Sequence, residues 1–272
     1  MRCILSFDVG IRNLAFCKLV LGPRTDGHEE GHEEAHEEGH EEAQELDFIK
    51  RCTILDWQAV DVLGLDRGKT NEGSNESSKL GIPELTECMI RVLDGLADGL
   101  LGGVAPDTIL IEQQPGGKFV NFTMKALSHV LHAYFYMKVP SVPVVFVSAR
   151  RKLKGAQEHA QDDSQKKKYS SNKKFTTERA GLLVRQVVNA DAAAAMFGTK
   201  GKRDDLADAF MQALVFIESI EIELMKSMKS KKSKKSKKST KSTKATKSVR
   251  TSKKKSPTEI ESSKKKRKID TQ

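Results

Sequence analysis

Four carboxylates stand at spacings that could do metal-assisted chemistry. Asp8 lies inside the strand-like run Arg2-Cys3-Ile4-Leu5-Ser6-Phe7-Asp8-Val9-Gly10, and Glu112 closes Thr108-Ile109-Leu110-Ile111. Asp205 and Asp208 open the last amphipathic segment. An ionised side chain in an apolar strand is desolvated at a cost unless a partner charge or a cation compensates. Asp205 and Asp208 are three residues apart and share one face of a helix. Two strand-end carboxylates and a helical pair form an all-oxygen donor set, which suits Mg²⁺ or Mn²⁺ and not structural zinc. Two such ions about 4 Å apart would activate a water, orient a phosphate and stabilise a leaving 3′ oxygen. The reaction implied is phosphodiester hydrolysis. The competing structural reading is that Asp204 and Asp205 cap a helix and complement its dipole.

A substrate side accompanies the acids. Arg150, Arg151, Lys152, Lys154, Lys166, Lys167, Lys168, Lys173 and Lys174 concentrate positive charge in one connection, where nucleic-acid phosphates could be held against the carboxylates. The alternative for such a run is a solvated loop. A second metal signal is misleading. HExxH occurs three times between His28 and His40, but it arises from a four-residue repeat in an acidic, Gly-punctuated segment with no core-facing stripe. Only incidental metal binding by His28, His32, His36 and His40 is expected there. His129 and His132 read as residues of a helix surface or core edge.

The elements that must position the acids follow from periodicity. Residues 2–8 and 13–21 predict two strands joined at Gly10-Ile11-Arg12, and 48–63 predicts a third. Residues 64–81 read as loop. Leu85, Cys88, Met89, Val92, Leu93, Leu96 and Leu100 then make a helical stripe behind Pro83. A strand is predicted over 107–113, and Phe119, Phe122, Leu127, Val130, Leu131, Tyr134 and Phe135 form a second helix stripe. A further strand covers 142–147. Residues 150–174 read as a poorly patterned basic connection, followed by a helix over about 176–190. The last helix starts near Asp204 and turns Leu206, Phe210, Ala213, Leu214 and Ile217 inward. The order is α/β: an antiparallel three-strand meander feeding parallel strands in one mixed sheet, flanked by helices. In such a sheet the first strand and the 107–113 strand can be parallel neighbours, which sets Asp8 beside Glu112.

Composition sets the domain limits. The formal charge of +10 is concentrated in residues 226–272, which hold 20 Lys/Arg against Glu259, Glu261 and Asp270. Residues 26–47 carry eleven Asp/Glu and no Lys/Arg, so charge is segregated by segment. The expected organisation is one catalytic-sized domain over 1–225, interrupted by an acidic His/Glu-rich insert at 22–47, and a disordered Lys/Ser-rich tail over 226–272. Such a tail attracts polyanions. Its Lys264-Lys265-Lys266-Arg267-Lys268 run resembles a nuclear localisation signal that an import receptor would read. Cys3, Cys17, Cys52 and Cys88 are scattered, with no CxxC pair, and read as reduced core cysteines of an intracellular protein. No apolar run approaches the roughly 20 residues a membrane span needs, so no membrane role is expected.

Three motifs, Ile4-Leu5-Ser6-Phe7-Asp8-Val9-Gly10-Ile11-Arg12-Asn13-Leu14-Ala15, Ile109-Leu110-Ile111-Glu112-Gln113-Gln114 and Lys202-Arg203-Asp204-Asp205-Leu206-Ala207-Asp208-Ala209-Phe210, together resemble the RuvC-like Holliday junction resolvases. The likeness is to the poxvirus type found across large DNA viruses of eukaryotes. It implies a ribonuclease H-like fold and a homodimer that places paired nicks across a four-way DNA junction, in recombination or in resolving viral DNA concatemers. By that resemblance Asp8, Glu112, Asp205 and Asp208 fall on the metal-binding catalytic acids, with Asp8 bridging two Mg²⁺ ions for which Mn²⁺ can substitute. Lys173 or Lys174 falls near a lysine that assists at the phosphate, and Arg150, Arg151 and Lys152 join them as DNA contacts. The nucleus or a viral replication site is the expected location.

Two other classes fit parts of the chain. Actin-like ATPases and sugar kinases also use an Asp-x-Gly turn after a first strand, but they need a second phosphate-binding loop and a second half. A packaging or scaffold protein acting through the basic tail would need none of the acids.

Overall fold

The computed structural model describes residues 1–24, 48–63, 80–114, 121–149, 151, 165–198 and 202–239. The acidic His/Glu repeat, most of the basic 150–164 connection including Arg150 and Lys152, Phe119, and residues 240–272 lie outside them. Met1–Leu224 forms one unit and Met225–Gln272 a second.

Within the first unit a five-stranded sheet has the order β3-β2-β1-β4-β5. The strands are β1 (Arg2–Val9), β2 (Asn13–Leu21), β3 (Cys52–Asp61), β4 (Thr108–Gln113) and β5 (Val144–Ser148). β1, β2 and β3 pair antiparallel, while β1–β4 and β4–β5 are parallel. The mixed sheet expected from the sequence, flanked by helices, is therefore the one observed. β1 is central and buried on both faces, which is why its run is almost continuously apolar. The turn into β2 is closed by Gly10 N donating to Asn13 O at 2.9 Å. A Cβ on Gly10 would come within 2.8 Å of that same oxygen, so the turn requires glycine.

Alternation along the strands sends side chains to two cores. Leu5, Phe7, Val9, Ile109 and Ile111 face helices α1 (Ile82–Leu101) and α2 (Phe122–Lys138). Ile4, Ala15, Cys17, Leu110 and Val147 face the opposite layer. That layer is built from α3 (Gln165–Leu183), α4 (Ala190–Gly198) and the first part of α5 (Arg203–Ser239). On the first face, buried Lys18 donates to Gly99 O and Gly102 O at 3.1 and 2.9 Å. Its charge thereby satisfies the last carbonyls of α1 and complements the helix dipole.

Several boundaries differ from the sequence reading. The third strand starts at Cys52, because Ile49–Arg51 form a 3₁₀ turn that buries Ile49. Phe122 is exposed at the start of α2 instead of joining its stripe. The basic connection is not all loop: α3 begins at Gln165, since Lys and Gln are good helix formers even where no apolar stripe marks them. A separate helix, α4, occupies the Ala-rich run 190–198. α5 continues as helix to Ser239, into the segment whose composition predicts disorder from 226. Lysine's helix propensity is sufficient reason for the extension.

The edge strand β3 is covered by the chain between α3 and α4. Asn189 Oδ1 accepts from Ile54 N at 3.0 Å and its Nδ2 donates to Ile54 O at 2.7 Å, while Val188 N donates to Cys52 O. These bonds satisfy strand groups that an open edge would expose. Cys3, Cys17 and Cys52 are buried free thiols; burial pushes Cys3 up to about 11 and Cys52 up to about 12. Among the described residues no helix is long and apolar enough to cross a membrane.

Candidate metal-dependent nuclease site

β1 and β4 run parallel with Ser6 opposite Leu110 and Phe7 opposite Ile111. One step further along both strands, Asp8 and Glu112 are neighbours. Three register facts fix their common face. Asp8 lies opposite Ala15, Glu112 lies opposite Val147, and Ala15 and Val147 both belong to the core beneath α5. Each acid is half-buried at the carboxyl end of its strand, the end at which open parallel sheets place their ligands.

α5 brings the second pair to that end. Gln212, fully buried, donates from Nε2 to Ser6 Oγ at 3.1 Å and to Phe7 O at 3.3 Å. Asn13, at the turn past the end of β1, donates from Nδ2 to Asp205 Oδ2 at 3.4 Å. The helix therefore runs back along β1, with Asp205 at the turn and Gln212 over Ser6. Asp208 is one turn before Gln212 on the same face, about 6 Å along the helix axis. Asp8 is two residues beyond Ser6 on the same strand face, about 7 Å along β1. The two offsets match, so Asp208 is carried to the level of Asp8. Leu206, Phe210, Ala213, Leu214 and Ile217 are buried as their stripe requires, and Trp57 Nε1 donates to Leu206 O at 2.9 Å, which fixes the rotation of the helix.

Asp204 and Asp205 are adjacent in sequence but differ in environment. Asp204 Oδ2 accepts from Lys173 Nζ on α3 at 2.5 Å. Burial works to raise the Asp204 carboxyl, but the Lys173 hydrogen bond and charge, with backbone donors, hold it below the usual range. Asp205 is pushed up, first by burial and then by the charge of Asp204; Lys202 and Lys173 oppose this only in part, and Asp208 adds the smallest upward push. A carboxyl raised by burial and by a neighbouring acid is short of positive charge.

Among the described residues, no three Asp, Glu, His or Cys side chains converge closely enough to enclose a metal ion. Asp8 and Glu112 nevertheless share one face at the carboxyl end of the sheet, and the Asn13–Asp205 and Gln212–Ser6 bonds tie the start of α5 to that end. The donor set there is carboxylate only, and that fits a hard divalent cation. Of the five basic residues predicted to meet DNA, Lys173 is half-buried on Asp204, whereas Lys174 is exposed and pairs at 3.9 Å with Glu178. Arg151 is exposed just beyond β5. Arg150 and Lys152 lie outside the described residues, as do the insert histidines. His129 and His132 pack against Phe146 with ring centroids 5.3 Å away, as helix-surface residues. Asn13 and Gln212 received no role from the sequence. The available signal was an amide in each of two otherwise apolar stretches.

Residues 4–115 match the family model described as mitochondrial resolvase Ydc2 / RNA splicing MRS1. No curated protein matches the chain in sequence. Among solved structures, the chain is similar to a fowlpox virus resolvase in complex with Holliday junction DNA, at 14% identity over 80% of this chain and 98% of that one, TM-score 0.45. It is similar to the yeast mitochondrial Holliday junction resolvase Ydc2 at 15% identity over 79% and 77%, TM-score 0.43. Thermus thermophilus RuvC follows at 12% over 81% and 96%, TM-score 0.39. Likeness this remote assigns no residue a role. The family match spans β1 to the end of β4, includes both strand-end acids and agrees with the resemblance read from the motifs.

Proposed function

We propose that this chain is a divalent-metal-dependent endonuclease that nicks DNA at four-way junctions, with Asp8, Glu112, Asp205 and Asp208 as its metal-holding catalytic acids. The observation that supports the reading is the β1–β4 register that makes Asp8 and Glu112 neighbours, together with the Gln212–Ser6 bond that lays the start of α5 along β1. Mg²⁺ or Mn²⁺, when bound, supplies water activation, phosphate orientation and leaving-group stabilisation.

The chain's own groups divide the remaining work. Asp8, on the central strand between β2 and β4, is the acid that would be shared by both cations. Glu112 flanks it from β4, and Asp205 and Asp208 approach from the helix. Lys173, anchored on Asp204, holds positive charge at the rim where a scissile phosphate would lie. Arg151 and Lys174 extend that charge outward for backbone phosphates, and Arg150 and Lys152 are assigned to the same track. Two opposed nicks on a two-fold branched substrate call for two active sites, so the acting species is a homodimer.

The family description also names an RNA splicing protein, and the lysine-rich continuation of α5 would bind nucleic acid whether or not the acids work. A binding role alone gives no reason for paired half-buried acids at the neighbouring ends of β1 and β4. Labelled four-way, flapped and linear duplex DNA, incubated with and without Mg²⁺, separates the two. The expected result is paired nicks on the four-way substrate, only with metal. Asp8→Asn should still bind junctions while nicking falls by ~10²–10³-fold or more. Equal nicking by wild type and Asp8→Asn rejects the mechanism.

A further inference from the structure

We infer that Asn13 is a positioning residue for Asp205: a neutral amide on the β1–β2 turn that aims one of two adjacent acids at the metal-holding face. The inference rests on the metal-dependent reading above. Nothing in the residue types of Asp204-Asp205 says which acid turns inward. The fold separates them by what each touches. Asp204 is drawn to Lys173 on α3, and Asp205 to Asn13 Nδ2 at 3.4 Å.

Asn13 is suited to the task because its own backbone is held from several sides. Gly10 N bonds Asn13 O, and Asn13 lies opposite Asp61 in the β2–β3 ladder. The preceding residue is tied twice to the end of β3, by Val62 N donating to Arg12 O at 2.7 Å and by Arg12 Nε on Asp61 Oδ2 at 2.9 Å. The turn therefore carries the strand register to α5, 192 positions away.

The chemistry of the donor matters as well. A carboxylate has about four lone-pair sites, and an amide N–H occupies one while leaving its negative charge in place. A lysine there would orient Asp205 equally well but would compete with a cation for it. The arrangement gives the cation-bonded partner to Asp204 and the neutral partner to Asp205, which keeps Asp205 available as a ligand. Groups that orient metal-binding carboxylates typically affect metal affinity or activity by 10–100-fold.

The test measures Mn²⁺ binding to the full chain by the paramagnetic resonance signal of the free ion, beside the Mg²⁺ concentration that half-saturates nicking. Asn13→Ala, Asn13→Leu and Asn13→Gln are compared with wild type and Asp205→Asn. Leu matches Asn in shape without a donor, so it carries the test if the alanine variant fails to fold. The expected result is Mn²⁺ affinity weakened ~10-fold in the Ala and Leu variants, a parallel rise in the Mg²⁺ requirement, and partial recovery in Asn13→Gln. Wild-type Mn²⁺ affinity in folded Asn13→Ala or Asn13→Leu, with Asp205→Asn impaired, overturns the role of Asn13 alone. If Asp205→Asn also binds Mn²⁺ and nicks like wild type, the metal-dependent reading falls and this one with it.

Discussion

Gln212 on α5 donates to Ser6 Oγ on β1 at 3.1 Å, joining residues 206 positions apart at a point where both are buried. The bond does more than satisfy two polar groups. Asp8 is two residues along from Ser6 and Asp208 one turn before Gln212, so the bond sets the height of the helical acids against the strand acid.

Gln212→Leu keeps the side chain's bulk but leaves the Ser6 hydroxyl and the Phe7 carbonyl without this buried donor. Loss of such a partner costs about 1–3 kcal/mol, to be read as a lower urea midpoint with unchanged slope. Nicking by the folded variant should also need more Mg²⁺, because α5 is freer to slide along β1. Unchanged metal dependence in a destabilised variant would detach Gln212 from the site.

Asp204 and Asp205 should respond to pH with opposite signs in metal-free protein. The Asp205 carboxyl is raised above its ordinary value of 3.8, so the folded state binds its proton more tightly than the unfolded state. Its contribution is present at acid pH and is lost as pH rises through the folded value. Asp205→Asn should therefore raise the metal-free melting temperature at pH 7, with the gain shrinking as pH approaches about 3.8. The Asp204 carboxyl is lowered, so its contribution is present above 3.8 and fades as pH falls. Asp204→Asn should lower the melting temperature at pH 7 and converge on wild type in acid. Same-sign shifts at pH 7 would contradict the two environments.

Lys173 and Lys174 are adjacent and chemically alike, yet only Lys173 is tied to α5. Lys173→Met should lower nicking ~10–100-fold at saturating Mg²⁺, with a stability cost of about 1 kcal/mol for a half-exposed ion pair. Lys174→Met should alter chiefly the salt dependence of DNA binding. Single-turnover nicking alongside binding at several salt concentrations separates the two effects, and equal losses in both variants would remove any special role for Lys173.

Asn189 offers a stability change remote from the acids. Asn189→Ala removes both side-chain bonds to Ile54 and uncovers the β3 edge. Each unmade partner costs about 1 kcal/mol or more, so the urea midpoint should drop clearly while nicking per folded molecule stays at the wild-type level. A fall in nicking beyond the folded fraction would mean that the edge communicates with the site.

The sequence by itself determined the elements and the faces. Ile4-Leu5-Ser6-Phe7-Asp8 and Ile109-Leu110-Ile111-Glu112 state in their alternation which neighbours each acid shares, and the stripe from Leu206 to Ile217 states which side of α5 is buried. Local periodicity carries that information because it is set by bond geometry within a few residues. The tertiary structure alone decided that Lys173 takes Asp204, that Asn13 takes Asp205, and that Gln212 rests on Ser6. It also decided that a basic stretch with no apolar period is helix from Gln165 and that Asn189 closes the β3 edge. Those contacts join residues 31 to 206 positions apart. Which partner a polar side chain finds depends on helix rotation and strand register in the packed core, and no local pattern encodes either.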